Sequence, residues 1–236
     1  MARARFRFHG DLNDFLPAAR RGVWLSYECS DRPSLKHAIE TFGVPHPEVG
    51  QPADLTPPLR DGDSVEVHPR RYDAPPDDGW RFVADCHLGR LAKYLRILGF
   101  DTLYDARADD ARLAEAAAAG GRFLLTRDRS LLMRKQVKSG LLVRGDDPRA
   151  QLVWLAGKLG LWGAAAPLRR CLRCNALLEP VAREAVWERI PPKTRLWCRD
   201  FAQCPGCGQL YWQGSHYERM QAWIRCLRAE AGPRAG

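Results

Sequence analysis

Two Cys-x-x-Cys knuckles, Cys171/Cys174 and Cys204/Cys207, stand 29 residues apart near the end of the chain. Four thiolates in that pattern suit one tetrahedral zinc in a closed, structural site. The separation exceeds the roughly 15–20 residues of the commonest four-cysteine ribbon, so the intervening VAREAVWERIPPKTRLWCRD makes a longer excursion. Gly206 and Gly208 suit the tight turns through which knuckle amides approach sulfur. Cys198 and His216 are substitute candidates for a ligand position, while Cys29, Cys86 and Cys226 are scattered. The opening MARARFRFHGD is basic but meets Gly10-Asp11 instead of an apolar run, so it does not read as a signal peptide. A cytoplasmic chain is expected, and there paired knuckles bind metal before they form disulfides or a redox dithiol.

The rest of the composition narrows the class. With 45% hydrophobic and 28% charged residues, the 236-residue chain is neither disordered nor fibrous. Its most apolar stretch, 152–168, is interrupted by Gly157, Lys158, Gly160 and Gly163, too soon for a membrane span of about 18 uninterrupted apolar residues. The net charge of +9 is unevenly placed. Residues 1–72 carry 10 basic and 10 acidic groups, 73–165 carry 15 and 12, and 166–236 carry 12 and 6. The net values are 0, +3 and +6, a gradient that favours a polyanionic partner toward the C-terminus.

Residues 1–72 read as a separate module. ARFRFHG alternates as a half-buried strand, VWLSYEC supplies a second, and 34–42 is helix-like, opened by Asp31 and Pro33 and stopped at Gly43. The turn Asp61-Gly62-Asp63 then leads into the alternating strand SVEVHP. This ββαβ order, closing on Leu59 to Pro69, resembles the ubiquitin-like sulfur carriers related to ThiS and MoaD. Such carriers act through a free Gly-Gly terminus. Here the chain continues through RRYDAPPDDGW, so a contact or stabilising role is expected, with APPDD as linker.

Residues 80–165 alternate strand and helix, the pattern of a parallel α/β layer fold. RFVAD, FDTLYD, RFLLTRD and LLVRGDD are the predicted strands. Leu88, Leu91, Leu95 and Leu98 mark one face of the first helix, ARLAEAAAA forms the second behind Asp109-Asp110, SLLMRKQV the third, and PRAQLVWLAGKLG the last. Asp85, Asp105, Asp128 and Asp146-Asp147 each end a predicted strand, and Asp110 opens a helix. In a parallel sheet the carboxyl ends of the strands open on one ligand-binding edge. Clustered carboxylates there repel unless protonated or bound to a cation, and Mg²⁺ or Mn²⁺ suits their hard oxygens. Two such ions about 3.5–4 Å apart activate water and stabilise the leaving oxygen in phosphodiester hydrolysis. Helix capping explains Asp110 and Asp146 equally well.

The segments FVAD-x-x-LGRLAKYLRILGFDTLY (Phe82 to Tyr104), GRFLLTRDRSLL (Gly121 to Leu132) and LLVRGDDPRAQL (Leu141 to Leu152), with the cysteine region, resemble the PIN-like RNase family named for the C-terminal domain of the Mut-seven exonuclease. The resemblance covers about 80–220. It implies a metal-dependent ribonuclease that leaves a 5′-phosphate, with Asp85 and Asp128 as metal ligands. Asp110 fits the intermediate acid, with Asp105 as alternative, and Asp147 the fourth position, with Asp146 as alternative. His87 carries no role from the resemblance.

Basic residues surround this edge. Arg90 and Lys93 lie opposite the leucine face, Arg96 toward its flank, and Arg127 and Arg129 bracket Asp128. Arg134, Lys135 and Lys138 read as a solvated face. Arg127 suits either the neighbouring carboxylate or a scissile phosphate. Tyr211, Trp212, Tyr217 and Trp223 suit stacking on unpaired bases or packing of the ribbon, and His216 suits a phosphate ligand or proton shuttle. The expected organisation is thus a ubiquitin-like β-grasp module (1–72), a PIN-like α/β domain (80–165) and a zinc ribbon with a C-terminal helix (166–236). In this reading the ribbon positions RNA and the α/β domain cuts it. A rival class, a non-catalytic RNA-binding adaptor, treats the acids as caps and charge partners.

Overall fold

A computed structural model describes residues 2–29, 32–72 and 75–230. Along it run β1 (Ala2–Phe8), β2 (Leu25–Cys29), α1 (Leu35–Thr41), β3 (Val49–Gln51), β4 (Ser64–Pro69), β5 (Arg81–Ala84), α2 (Gly89–Ile97), β6 (Asp101–Tyr104) and α3 (Asp110–Ala119). There follow β7 (Phe123–Thr126), α4 (Arg129–Leu132), β8 (Gly140–Leu142), α5 (Pro148–Leu159), α6 (Leu161–Ala164), β9 (Glu179–Val181), α7 (Pro192–Arg195), β10 (Phe201–Gln203), β11 (Leu210–Trp212) and α8 (Ser215–Glu230).

The N-terminal sheet is mixed, in the order β2-β1-β4-β3. β1 pairs antiparallel with β2 and parallel with β4, so that Phe6 stands opposite both Leu25 and Val65. The alternation in β1 buries Ala4, Phe6 and Phe8 and exposes Arg3 and Arg5, as its period of two requires. α1 is capped by Ser34, whose hydroxyl accepts from the His37 amide; the Asp31 start signal lies outside the described residues. β3 is a three-residue strand absent from the sequence reading, and it pairs antiparallel with β4.

The second sheet has four strands in the order β6-β5-β7-β8, with β5–β6 and β7–β8 parallel. Its helices follow the predicted pattern except the third. α4 spans only Arg129–Leu132, after which the chain continues in three-residue turns, the Arg134 amide bonding to the Leu131 carbonyl and the Val137 amide to the Arg134 carbonyl. The leucine face of α2 is realised: Leu88, Leu91, Leu95 and Leu98 are all buried. The C-terminal sheet is antiparallel, β11-β10-β9, over a small core of Val186, Ile190, Cys198, Phe201 and Leu210. Among the described residues no helix is long and apolar enough to cross a membrane.

By contacts between Cα atoms the chain divides into two compact units, Met1–Tyr72 with Ala108–Val143, and Asp73–Arg107 with Arg144–Gly236. In the first unit, His46 meets Glu40 (2.7 Å) and the Val137 carbonyl (2.8 Å), Glu48 Oε1 accepts the Leu142 amide at 2.8 Å, and the Arg129 guanidinium lies 5.3 Å over the Phe15 ring. In the second, Arg96 and Asn175 join α2 and β6 to the first cysteine knuckle.

Candidate active site

In the unit containing β7, Asp128 follows the strand and caps α4. Its Oδ1 accepts the Ser130 amide at 2.7 Å and the Ser130 hydroxyl at 2.8 Å. Burial acts to raise the Asp128 carboxyl, but the bonds from Ser130 and Leu131 and the Arg134 charge outweigh it and hold it below the usual carboxylate range. Arg134 also pairs with Asp110 Oδ2 at 3.3 Å. Asp110 sits at the first position of α3, while Asp109 is the cap, accepting the Arg112 amide at 2.8 Å. Arg134 is thus an ion-pair partner of Asp110 and a favourable charge for Asp128. Arg127 is exposed beside them, and Arg129 is directed onto Phe15.

In the other unit, Asp85 ends β5 and is only 3% exposed. Its Oδ1 accepts the His87 amide at 2.9 Å and lies 3.6 Å from His87 Nδ1. Cys86 Sγ is 3.6 Å from the same nitrogen, so Asp85, Cys86 and His87 offer three close ligand atoms on one turn. The turn is held from β6: the Tyr104 hydroxyl donates to the Cys86 carbonyl at 3.2 Å. Gly89 permits that approach, since a Cβ there would stand 2.6 Å from the Tyr104 oxygen. Asp105 is exposed and accepts the Arg107 amide. Asp147 caps α5 through the amides of Arg149 (3.0 Å) and Ala150 (3.2 Å), and Asp146 beside it is exposed.

The four cysteines converge. Cys171 Sγ lies 3.5 Å from Cys207 Sγ, and Cys174 Sγ lies 3.2 Å from Cys204 Sγ, with all four sulfurs within 4.8 Å of one another. Zinc–sulfur bonds of about 2.3 Å set tetrahedral edges of about 3.8 Å, so the cluster is consistent with structural zinc. Burial opposes ionisation of Cys171, yet the Tyr211 hydroxyl at 3.2 Å and the knuckle amides bring its thiol down to about 6. Zinc-binding sulfur is thiolate; Cys171 is thus the thiol most ready to ionise, whereas burial and the neighbouring thiols push Cys204 and Cys207 up. Tyr211 also accepts the Leu172 amide at 3.0 Å, which places it against the knuckle. Cys198 belongs to the small ribbon core instead, with Sγ 3.5 Å from the Asp200 carbonyl.

Two residues that sequence reasoning missed hold the knuckle. Arg96, expected on the flank of α2, is buried. Its Nε and Nη2 donate to the Thr102 carbonyl (3.0 and 2.9 Å), and Nη1 donates to Leu172 (3.3 Å) and Arg173 (3.0 Å). Asn175 adopts φ 74°, a left-handed conformation that Asn tolerates better than most residues. Its Oδ1 accepts the Thr102 amide at 3.0 Å and its Nδ2 donates to Asp101 at 2.8 Å. The only available signal for Asn175 was its place directly after Cys174, where knuckles turn.

Of the predicted nucleic-acid contacts, Arg90, Lys93 and His216 line one groove with Tyr94 and Trp223. A family model described as Mut7-C RNAse domain matches residues 80–224, and one described as Mut7-C ubiquitin matches residues 1–74. No curated protein and no solved structure matches the chain.

Proposed function

Since the chain belongs to the Mut7-C RNAse domain family and carries the Mut7-C ubiquitin module in front of it, we propose that it is a metal-dependent ribonuclease. Asp85, Asp110, Asp128 and Asp147 are the residues that would hold Mg²⁺ or Mn²⁺. The donor chemistry fits, because all four offer hard carboxylate oxygens and Asp128 is held ionised. A divalent ion bound there supplies an acidified water and neutralises charge on the scissile phosphate. The chain's own residues do the positioning. The Ser130 bonds fix the Asp128 carboxylate in one orientation, and the His87 amide does the same for Asp85. Arg127 is assigned to the phosphate, where a guanidinium fork grips two oxygens. Cys171, Cys174, Cys204 and Cys207 would hold zinc as a structural staple, leaving the ribbon to position RNA. The working division is 1–72, 80–165 and 166–236, in a cytoplasm that keeps the thiols reduced.

The single observation that carries the reading is the match to the RNase domain over residues 80–224, within which Asp128 follows one strand of a parallel pair and caps the helix after it. Purified protein on mixed RNA with Mg²⁺ or Mn²⁺ is expected to cleave. Asp85→Asn and Asp128→Asn should each lower the rate on the order of 100-fold or more, because such centres contribute several kcal/mol to the transition state. Absence of cleavage with any divalent ion, or equal cleavage by the variants, sinks the enzyme reading. The adaptor reading has one observation in its favour: Asp128 and Asp147 are both satisfied as helix caps. The same assay decides between them.

A further inference from the structure

α2 and α8 bring together cations that are more than a hundred residues apart. The cations are Arg90 and Lys93 from α2 and Arg219 from α8; with His216 they line an open groove of about 470 Å³, with the rings of Tyr94 and Trp223 on its wall. Those rings are in contact, centroids 4.7 Å apart and inclined at 53°. No carboxylate lines this groove. Arg90 and Lys93 have no hydrogen-bond or ion-pair partner among the described residues, and Arg219 commits only its Nε, to the Ser215 carbonyl at 3.2 Å. Leu172 and Met220 line both this groove and a second cleft of about 710 Å³, which continues along the ribbon past Tyr211, Trp212 and Tyr217. The second cleft is mixed in charge, with Glu184 and Asp200 among its arginines.

Cations held close without acidic partners repel one another, and an anion relieves that repulsion. A bare phosphate satisfies the charges but leaves the indole face unused. Duplex RNA presents phosphates but hides its base faces in the stack. Single-stranded RNA offers both, a backbone charge and an exposed π-face for each nucleotide. The volume is that of a small-ligand site, within the roughly 300–1,000 Å³ range of such pockets. We propose that this groove binds an unpaired nucleotide of single-stranded RNA, the base against Trp223 and Tyr94 and the flanking phosphates on Arg90, Lys93 and Arg219, with the strand continuing over Met220 into the ribbon cleft. The proposal rests on the reading that the chain acts on RNA, and it narrows the substrate to unpaired segments.

The test is fluorescence anisotropy with the zinc-loaded full chain and no added divalent ion, using a labelled single strand of about 12 nucleotides and its duplex. The single strand should bind about tenfold tighter or better. Trp223→Leu should weaken single-strand binding about 5- to 100-fold, the equivalent of one lost stack, and leave duplex binding unchanged. Lys93→Glu, on the exposed side of α2, should weaken binding and reduce the slope of log K against log salt by about 0.7, the value for one released single-strand phosphate contact. This variant carries the test if the Trp223 change disturbs α8. Equal affinity for single strand and duplex, or wild-type single-strand binding by both variants, overturns the proposal. Failure of the nuclease reading is separate. If the groove variants behave as expected while the wild type cleaves nothing, the groove stands and the catalytic assignment falls. If Asp128→Asn abolishes cleavage while the groove variants bind normally, the reverse holds.

Discussion

Arg96→Met removes a planar charge from the seam between β6 and the first cysteine knuckle and keeps the aliphatic stem. Three carbonyls lose their donor: Thr102 twice over, and Leu172 and Arg173 once each. A hydrogen bond from a charged group contributes about 1.5–3 kcal/mol net. Counting the fork on Thr102 as one interaction and the knuckle pair as another places the loss at about 3–6 kcal/mol. Part of that returns, because the guanidinium is buried at a cost visible in its depressed pKa, and methionine does not bear it. A net destabilisation of about 2–4 kcal/mol follows, a large share of the roughly 5–15 kcal/mol that holds a domain folded. At about 2–4 °C per kcal/mol for a chain of this size, the melting temperature should fall on the order of 5–15 °C. Zinc should also pass faster to a chromophoric chelator, since the carbonyls on either side of the 171–174 turn lose their anchor. Arg96→Lys should recover little, because a point charge cannot serve carbonyls on both β6 and the knuckle at once. A fall of less than about 2 °C with zinc release unchanged would refute the reasoning.

Two further outcomes follow from local geometry, alongside the cleavage and binding tests above. Gly89→Ala places a Cβ 2.6 Å from the Tyr104 oxygen, so urea denaturation should show a loss of about 1–3 kcal/mol, the usual cost of overpacking. Adding Tyr104→Phe to that variant should restore part of it, and failure to do so would locate the strain elsewhere. Cys174→Ser breaks the four-sulfur cluster; metal analysis should show zinc falling well below one per chain. Limited proteolysis should then cut between β9 and β11, where the five-residue core alone is too small to hold the fold.

Where one residue type repeats with a clear period, the sequence was legible. The α2 leucines, the alternating β1 and the two thiol knuckles all depend on local spacing, and each stands where its spacing puts it; the caps of α3 and α5 are Asp109 and Asp147, each the neighbour of the acid, Asp110 or Asp146, for which capping was the alternative. The acids ending strands were legible as a pattern, but their partners were not. Asp110 meets Arg134 from 24 residues away, and no periodicity encodes that distance. Arg96 was misplaced because an arginine beside a leucine face is normally solvated, whereas here three carbonyls make its burial tolerable. α4 is shorter than its apolar spacing predicts because three-residue turn bonds replace the helical ladder from Met133 onward. The groove residues Arg90, Lys93 and His216 were each named from composition; their meeting required the fold.

The side chains at Thr102 and Leu142 have a consequence for what the protein avoids. β6 and β8 are the outermost strands of the four-stranded sheet, and outermost strands are templates for adding another chain. At Thr102 the outward amide is taken by Asn175 and the outward carbonyl by Arg96; at Leu142 the amide is taken by Glu48. The cysteine knuckle and the ubiquitin module thus each act as a stopper on a sheet that would otherwise be open to growth. A fragment cut free of residues 1–74 would lose the Glu48 stopper, and self-association through β8 is the failing expected first. That gives the N-terminal module a reason to stay attached that is independent of any partner it contacts.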